Sequence, residues 1–200
     1  MHPAPETEAI DIEHARAQLA PSGILKAAIN LGNPILVQQD PKTGRLGGVA
    51  IELARALAAR LAVKLGLVPF ETPGLITDSA ASGAWDVALL AIQPAREEVI
   101  DFTAPYLAIE GAYIVWNDSP YTAIDEIDRP GLRIAVGTKT AYELFLSRQI
   151  KHAELVHAPS SEMSLELFLQ DRLEAAAASG RPLKPSPPGV LICVPWTASS

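Results

Sequence analysis

The sequence predicts an α/β protein of two lobes. Short apolar runs alternate with amphipathic helical segments through the first hundred residues. The pattern pauses at "DFTAPY" and restarts after residue 107. With 200 residues, 48% of them hydrophobic, the chain has enough apolar surface for a substantial core. Apolar strands separated by amphipathic helices imply a parallel or mixed sheet covered on both faces.

Residues 1–22 read as an N-terminal arm or short amphipathic helix ending at Pro21-Ser22-Gly23. The first lobe spans 23–107. "ILKAAIN" (24–30) is its first strand, and "DPKTG" within the next segment signals a turn. In "VAIELARALAARLA" the four-residue spacing of Val49, Leu53, Leu57 and Leu61 places them on one helical face. "KLGLVPF" (64–70) reads as a strand, "GLITDSAASGAW" as a short helix, and "DVALLAI" (86–92) as a buried strand.

The second lobe spans 108–177. "GAYIVW", "LRIAVG" and "AELVHA" read as strands, and "SPYTAIDEID" as a capped turn. "TKTAYELFLSRQI" reads as a helix with Tyr142, Phe145, Leu146 and Gln149 on one side. "SSEMSLELFLQDR" reads as another, capped by Ser160 or Ser161. Residues 178–200 hold Pro182, Pro185, Pro187, Pro188 and Pro195 and read as an irregular tail with a short apolar segment, "GVLICV", that docks.

Charge and composition exclude several functions. The net charge is −7, and Lys and Arg nowhere cluster into a nucleic-acid footprint. No run is long and apolar enough for a membrane helix, and residues 1–23 carry no basic and apolar secretory pattern. The single Cys193 rules out an intramolecular disulfide. His152 and His157 lie five apart, a spacing that suits neither helix nor strand ligation, so no metal and no cofactor is expected.

Two features suggest ligand chemistry. Arg96 follows the apolar run 86–92 by four residues, and ligands of open α/β sheets bind beyond the C-terminal ends of strands. A guanidinium there offers a two-pronged match to a carboxylate. The alternative is a surface arginine paired with Glu97, Glu98 or Asp101. The second feature is "AVGTKTAYE", a strand ending at Gly137 before a helix start. Thr138, Thr140 and the free N–H groups there, with Lys139, could hold an anion. Thr140 and Glu143 also form a capping box. Tyr106, Tyr113 and Trp116 read as packing residues that could also wall a cleft.

"SGAWDVALLAIQPAREEVIDFTAPY" resembles the signature of the extracellular solute-binding proteins, family 3, with support from "ILKAAINLG", "GGVAIELARALAARLAV", "LRIAVGTKTAYELFL" and "ELVHAPSSEMSLELFLQDRLEAA". The resemblance covers residues 20–177. It implies a two-lobed periplasmic-binding-protein type II fold, here C-terminally incomplete. It implies an amino acid or similar small carboxylate in the cleft, an ABC transporter permease as partner, and a periplasmic location. Arg96 matches the residue that holds the ligand carboxylate. Gly137, Thr138, Lys139 and Thr140 match the second-lobe contact, and Asn33 lies in the matching side-chain pocket segment. Leu89 and Ala91 stand where the family often places Ser or Thr contacts. Ala178-Ser179-Gly180 stands where it places an acid for the amino group. A cyclohexadienyl (prephenate or arogenate) dehydratase is the enzymatic alternative, with Glu110 or Glu143 as the acid, and a truncated non-binding remnant is the third reading.

Overall fold

A computed structural model describes residues 11–179 of the chain and the backbone of Val194–Trp196. The N-terminal arm contains helix α1 (Ile12–Leu19), capped by Asp11, whose carboxylate accepts the His14 N–H at 3.0 Å. Ala15, Leu19 and Ala20 pack against Leu25, Ala58 and Leu61 at the base of the first lobe.

That lobe is a three-stranded parallel sheet. Strand β1 (Ile24–Asn30) sits between β4 (Lys64–Phe70) and β5 (Val87–Ala88). A small hairpin, β2 (Gln38–Gln39) and β3 (Leu46–Gly47), turns through Asp40, which accepts the N–H groups of Lys42 and Thr43. Helix α2 (Val49–Arg60) covers the β1 face that carries Leu25, Ala27 and Ile29. Helix α3 (Pro73–Asp78) opens with Pro73 in its first turn.

The buried face of α2 is only in part the one its leucine spacing suggests: Leu61 is buried and Leu57 packs beside it at the base of the lobe. Ala50, Ile51, Ala54 and Ala58 are buried, while Val49 and Leu53 are exposed. Alanines let the helix axis approach the sheet closely, and that contact outweighs the larger side chains. The run 86–92 is also corrected. Only Val87 and Ala88 join the ladder, and Ala91 and Ile92 are exposed. Asp86 holds this short edge: its N–H donates to Lys26 O and its carboxylate accepts the Lys26 N–H, both at 2.8 Å.

The second lobe holds a five-stranded mixed sheet, which includes a strand from the segment expected to be irregular. Its order is β10 (Val194–Trp196), β6 (Gly111–Val115), β9 (Ala175–Ser179), β7 (Arg133–Gly137), β8 (Glu154–Ala158). Strand β7 runs parallel to β8 and β9, and β6 runs antiparallel to β9 and β10. Side-chain alternation divides the core. Tyr113, Val115, Ile134, Val136, Ala175 and Ala177 face Tyr142 and Leu146 of α5 (Ala141–Gln149). Ile114, Ala135 and Ala176 face Phe168 of α6 (Ser161–Gln170). Phe168 is fully buried, worth roughly 1.5–3 kcal/mol. It stacks on Trp116 at 4.7 Å, which assigns Trp116, like the buried Tyr113, to packing. On α5 the inner positions are Tyr142, Glu143 and Leu146, while Gln149 is exposed. Strand β9 extends the second lobe to residue 179, two beyond the expected boundary.

Of the tail, only β10 lies within the described residues. It overlaps the end of the apolar segment expected to dock and pairs with β6. Between Leu89 and Glu110 the chain passes from one sheet to the other, with a single short helix, α4 (Pro94–Glu97).

Candidate functional site at the junction of the lobes

Arg96 reaches its position by a helical turn, not directly from a strand. Gln93 is extended, Pro94 starts α4 with a preset φ, and the N–H groups of Arg96 and Glu97 donate to Gln93 O. The arginine side chain is 2% exposed. Nη1 donates to Ala91 O at 2.8 Å, and Nη2 donates to Lys139 O at 3.0 Å. One carbonyl comes from the crossover after β5 and the other from the turn after β7. The guanidinium therefore sits where the lobes meet.

Its electrostatic position is unusual. Neither Glu97, Glu98 nor Asp101 pairs with it, and no acid lies within ion-pair distance among the described residues. Nε is buried and has no hydrogen-bond partner there. Burial alone pulls the pKa from 12.5 down to about 10. A buried cation held by neutral carbonyls retains an unmet electrostatic demand.

The second-lobe turn is built differently from the expected cradle of free donors. The Thr138 N–H and hydroxyl both donate to Ala158 O, at 2.8 and 3.0 Å. The Thr140 N–H and hydroxyl donate to Gly137 O, at 3.2 and 2.7 Å. The Lys139 N–H donates to Glu143 Oε2 at 3.0 Å, and the Lys139 ammonium pairs with Asp78 at 2.6 Å. The Thr138, Thr140 and Lys139 backbone donors and the two hydroxyls thus serve the turn and the strand end beside it, while the Lys139 ammonium reaches across to the first lobe. The expected cap is present: Thr140 Oγ1 accepts the Glu143 N–H at 3.2 Å, while the Glu143 carboxylate binds one residue ahead of a standard capping box. Gly137 allows the close approach of α6, since an added Cβ would lie 2.7 Å from Ser161 N.

The remaining candidates fall as follows. Asn33 Oδ1 accepts the Ile35 N–H at 3.1 Å, closing a local turn. Leu89 packs against the first-lobe core, and Ala91 contributes its carbonyl to Arg96 rather than a side chain. Glu143 is buried and engaged by Lys139 N–H, Ser147 Oγ and His157 Nε2. Glu110 and Tyr106 are exposed. Among the described residues no His, Cys, Asp and Glu group could hold a metal ion. A concavity of about 410 Å³ on the β2–β3 hairpin is lined by Gln38, Asp40, Thr43 and Arg45 and gathers none of the expected site residues.

Sequence reading missed three residues at this junction. Gln93 is buried, and its Oε1 accepts from Arg148 Nη2 at 2.9 Å across the lobes. Asp78 meets Lys139 from the end of α3. Gln93-Pro94 was the available signal, since Pro at the first helical position marks Gln93 as the cap. The Asp78 pairing had no local signal.

Comparison with known proteins agrees with this architecture. The chain resembles a solved ancestral amino acid-binding protein, a precursor of cyclohexadienyl dehydratase. That match has 23% identity and a TM-score of 0.70, covering 82% of this chain and 74% of that one. Such neighbours are type II periplasmic binding proteins, so the fold is of that type. Among curated relatives, cyclohexadienyl dehydratase of Pseudomonas aeruginosa is 25% identical over 170 residues, 79% of this chain and 63% of the relative. The L-cystine-binding protein TcyJ of Escherichia coli is 28% identical over 114 residues, 56% of this chain and 42% of the relative. The chain thus spans less than two thirds of the length of these relatives. No helix among the described residues is long and apolar enough to cross a membrane. The family model for bacterial extracellular solute-binding proteins, family 3, matches residues 25–183, most of the chain, and the chain belongs to that family.

Proposed function

We propose that the protein binds an amino acid or similar small carboxylate between its lobes, with Arg96 as the carboxylate clamp. One observation carries this reading: a 2%-exposed guanidinium at the lobe junction with no acid beside it and an orphaned Nε. Arginine has five N–H donors. Two are spent on Ala91 O and Lys139 O. Nε–H and one hydrogen on each terminal nitrogen remain, which is enough for a two-pronged carboxylate contact without displacing either carbonyl.

Binding across two lobes suits delivery of solute to an ABC importer permease on the periplasmic side, and the family membership supports that role. Glu143 already accepts from the Lys139 N–H and the Ser147 hydroxyl and lies against His157 Nε2, and Glu110 is exposed. Binding without turnover is therefore the reading favoured here over the dehydratase one.

A thermal-shift panel of the standard L-amino acids, L-cystine and small mono- and dicarboxylates tests the proposal. A ligand at 100 times its Kd adds about 2.7 kcal/mol to stability, a shift of several degrees. No shift with any carboxylate defeats it. Prephenate consumption at enzymatic rates would transfer the case to the dehydratase.

A further inference from the structure

Lys139 makes three contacts with the first lobe. Its carbonyl accepts from Arg96 Nη2 at 3.0 Å. Its aliphatic stem lies over Gly74 of α3, where an added Cβ would come within 2.8 Å of Lys139 Cβ and Cδ. Its ammonium is 2.6 and 2.7 Å from the two carboxylate oxygens of Asp78, at the end of the same helix. The backbone of Lys139 is left-handed, with φ of 58°, a conformation that non-glycine residues adopt reluctantly. Glu143 fixes it by accepting the Lys139 N–H. Parting the lobes at this point breaks all three contacts together.

We infer that Asp78 and Lys139 form a closure latch that draws α3 onto the second-lobe turn and lengthens ligand residence behind it. The residence effect rests on the binding role proposed above, whereas the closing effect does not. Both charged groups are about half exposed, at 51% and 54%. The ion pair is therefore a weak, salt-sensitive bias and not a permanent bond. Such a pair changes the ratio of closed to open molecules by about 1.5- to 5-fold. Gly74 serves the same seam sterically, because a side chain there would meet the lysine stem from Cβ to Cδ.

Spin labels at exposed Ala59 and Glu162, one in each lobe, in a Cys193→Ser background report lobe separation by pulsed dipolar spectroscopy. Asp78→Asn and Lys139→Met are expected to raise the longer-distance population about 1.5- to 5-fold. The charge swap Asp78→Lys with Lys139→Asp is expected to restore the parent distribution. Added salt at 1 M is expected to lengthen the parent distances but not those of Asp78→Asn. Gly74→Ala is expected to shift the distribution furthest. Coincident parent and Asp78→Asn distributions at low salt overturn the latch, whatever Gly74→Ala does. If the distances respond while no amino acid binds, the latch stands and the proposed ligand role falls.

Discussion

Replacing Arg96 by Met should separate stability from ligand affinity. In the folded protein the guanidinium has lost its water, which pulls its pKa from 12.5 to about 10. At about 1.36 kcal/mol per pH unit, that drop corresponds to roughly 3 kcal/mol of unfavourable desolvation. Methionine removes this cost and keeps most of the buried volume. Against it, Ala91 O and Lys139 O lose a donor, at about 1–3 kcal/mol each. The opposed effects leave stability within about 2–3 kcal/mol of the parent, a melting shift under roughly 12 °C for a chain of this size. Affinity for a carboxylate ligand should fall by about 2–5 kcal/mol, because one partner of a buried charge pair is gone. That is roughly 30- to 4,000-fold in Kd. Calorimetric titration with the best amino acid of the thermal-shift panel, paired with scanning calorimetry, gives both numbers. Parent-like affinity in Arg96→Met removes Arg96 from the site. A collapse of the melting transition would show instead that the arginine is a structural staple between the lobes.

Three further outcomes follow from the second lobe. Gly137→Ala drives a Cβ to 2.7 Å from Ser161 N, so it should cost about 1–3 kcal/mol or more in a urea melt. Asp128→Ala leaves the N–H groups of Lys151, His152 and Ala153 without their shared carboxylate acceptor. It should cost about 1–3 kcal/mol in the same assay. Glu174 accepts hydrogen bonds from the Arg133 side chain and N–H, and the side-chain bond is the main reason its pKa lies below the ordinary value. A lowered folded pKa means that the unfolded chain takes up the proton first. The contribution is therefore full above about pH 4.3 and lost as the pH falls through the folded value. Glu174→Gln should flatten the fall in melting temperature below that pH, and an unchanged acid limb would contradict it.

Most strands were legible because apolar runs such as "ILKAAIN" and "LRIAVG" are bounded by turn residues. Thr140 and Ser160 were legible as caps because their hydroxyls accept N–H groups three residues on. The misreadings share a cause. Hydrophobic spacing ranks Val49 and Leu53 above alanine, yet close packing on the sheet favours Ala50, Ala54 and Ala58. The run after Ala88 is apolar, but no strand among the described residues pairs with its far half, so it leaves the ladder there. Within the candidate site, Arg96 was legible from its place after an apolar run. Its partners were not, since a carbonyl at residue 91 or 139 carries no side-chain signature. Asp78 and Lys139 are 61 residues apart and meet only across the seam between the lobes.

The composition of this junction bears on which ligand could close it. The overall charge of −7 opposes an approaching anion, so attraction must be local. Arg96 supplies it from a buried position where water screens little. The side chains that could have added polar recognition are spent elsewhere: the hydroxyls of Thr138 and Thr140 bond the turn, and Leu89 and Ala91 have none to offer. A ligand can favour the closed form only through contacts it lacks in the open one. On the proposed role of Arg96, that difference rests on a guanidinium gripped by carbonyls from both lobes. A neutral ligand gains little from such a centre. On the binding role proposed above, a carboxylate would meet the unmet charge and the orphaned Nε together, which would couple its negative charge to the closing of the lobes.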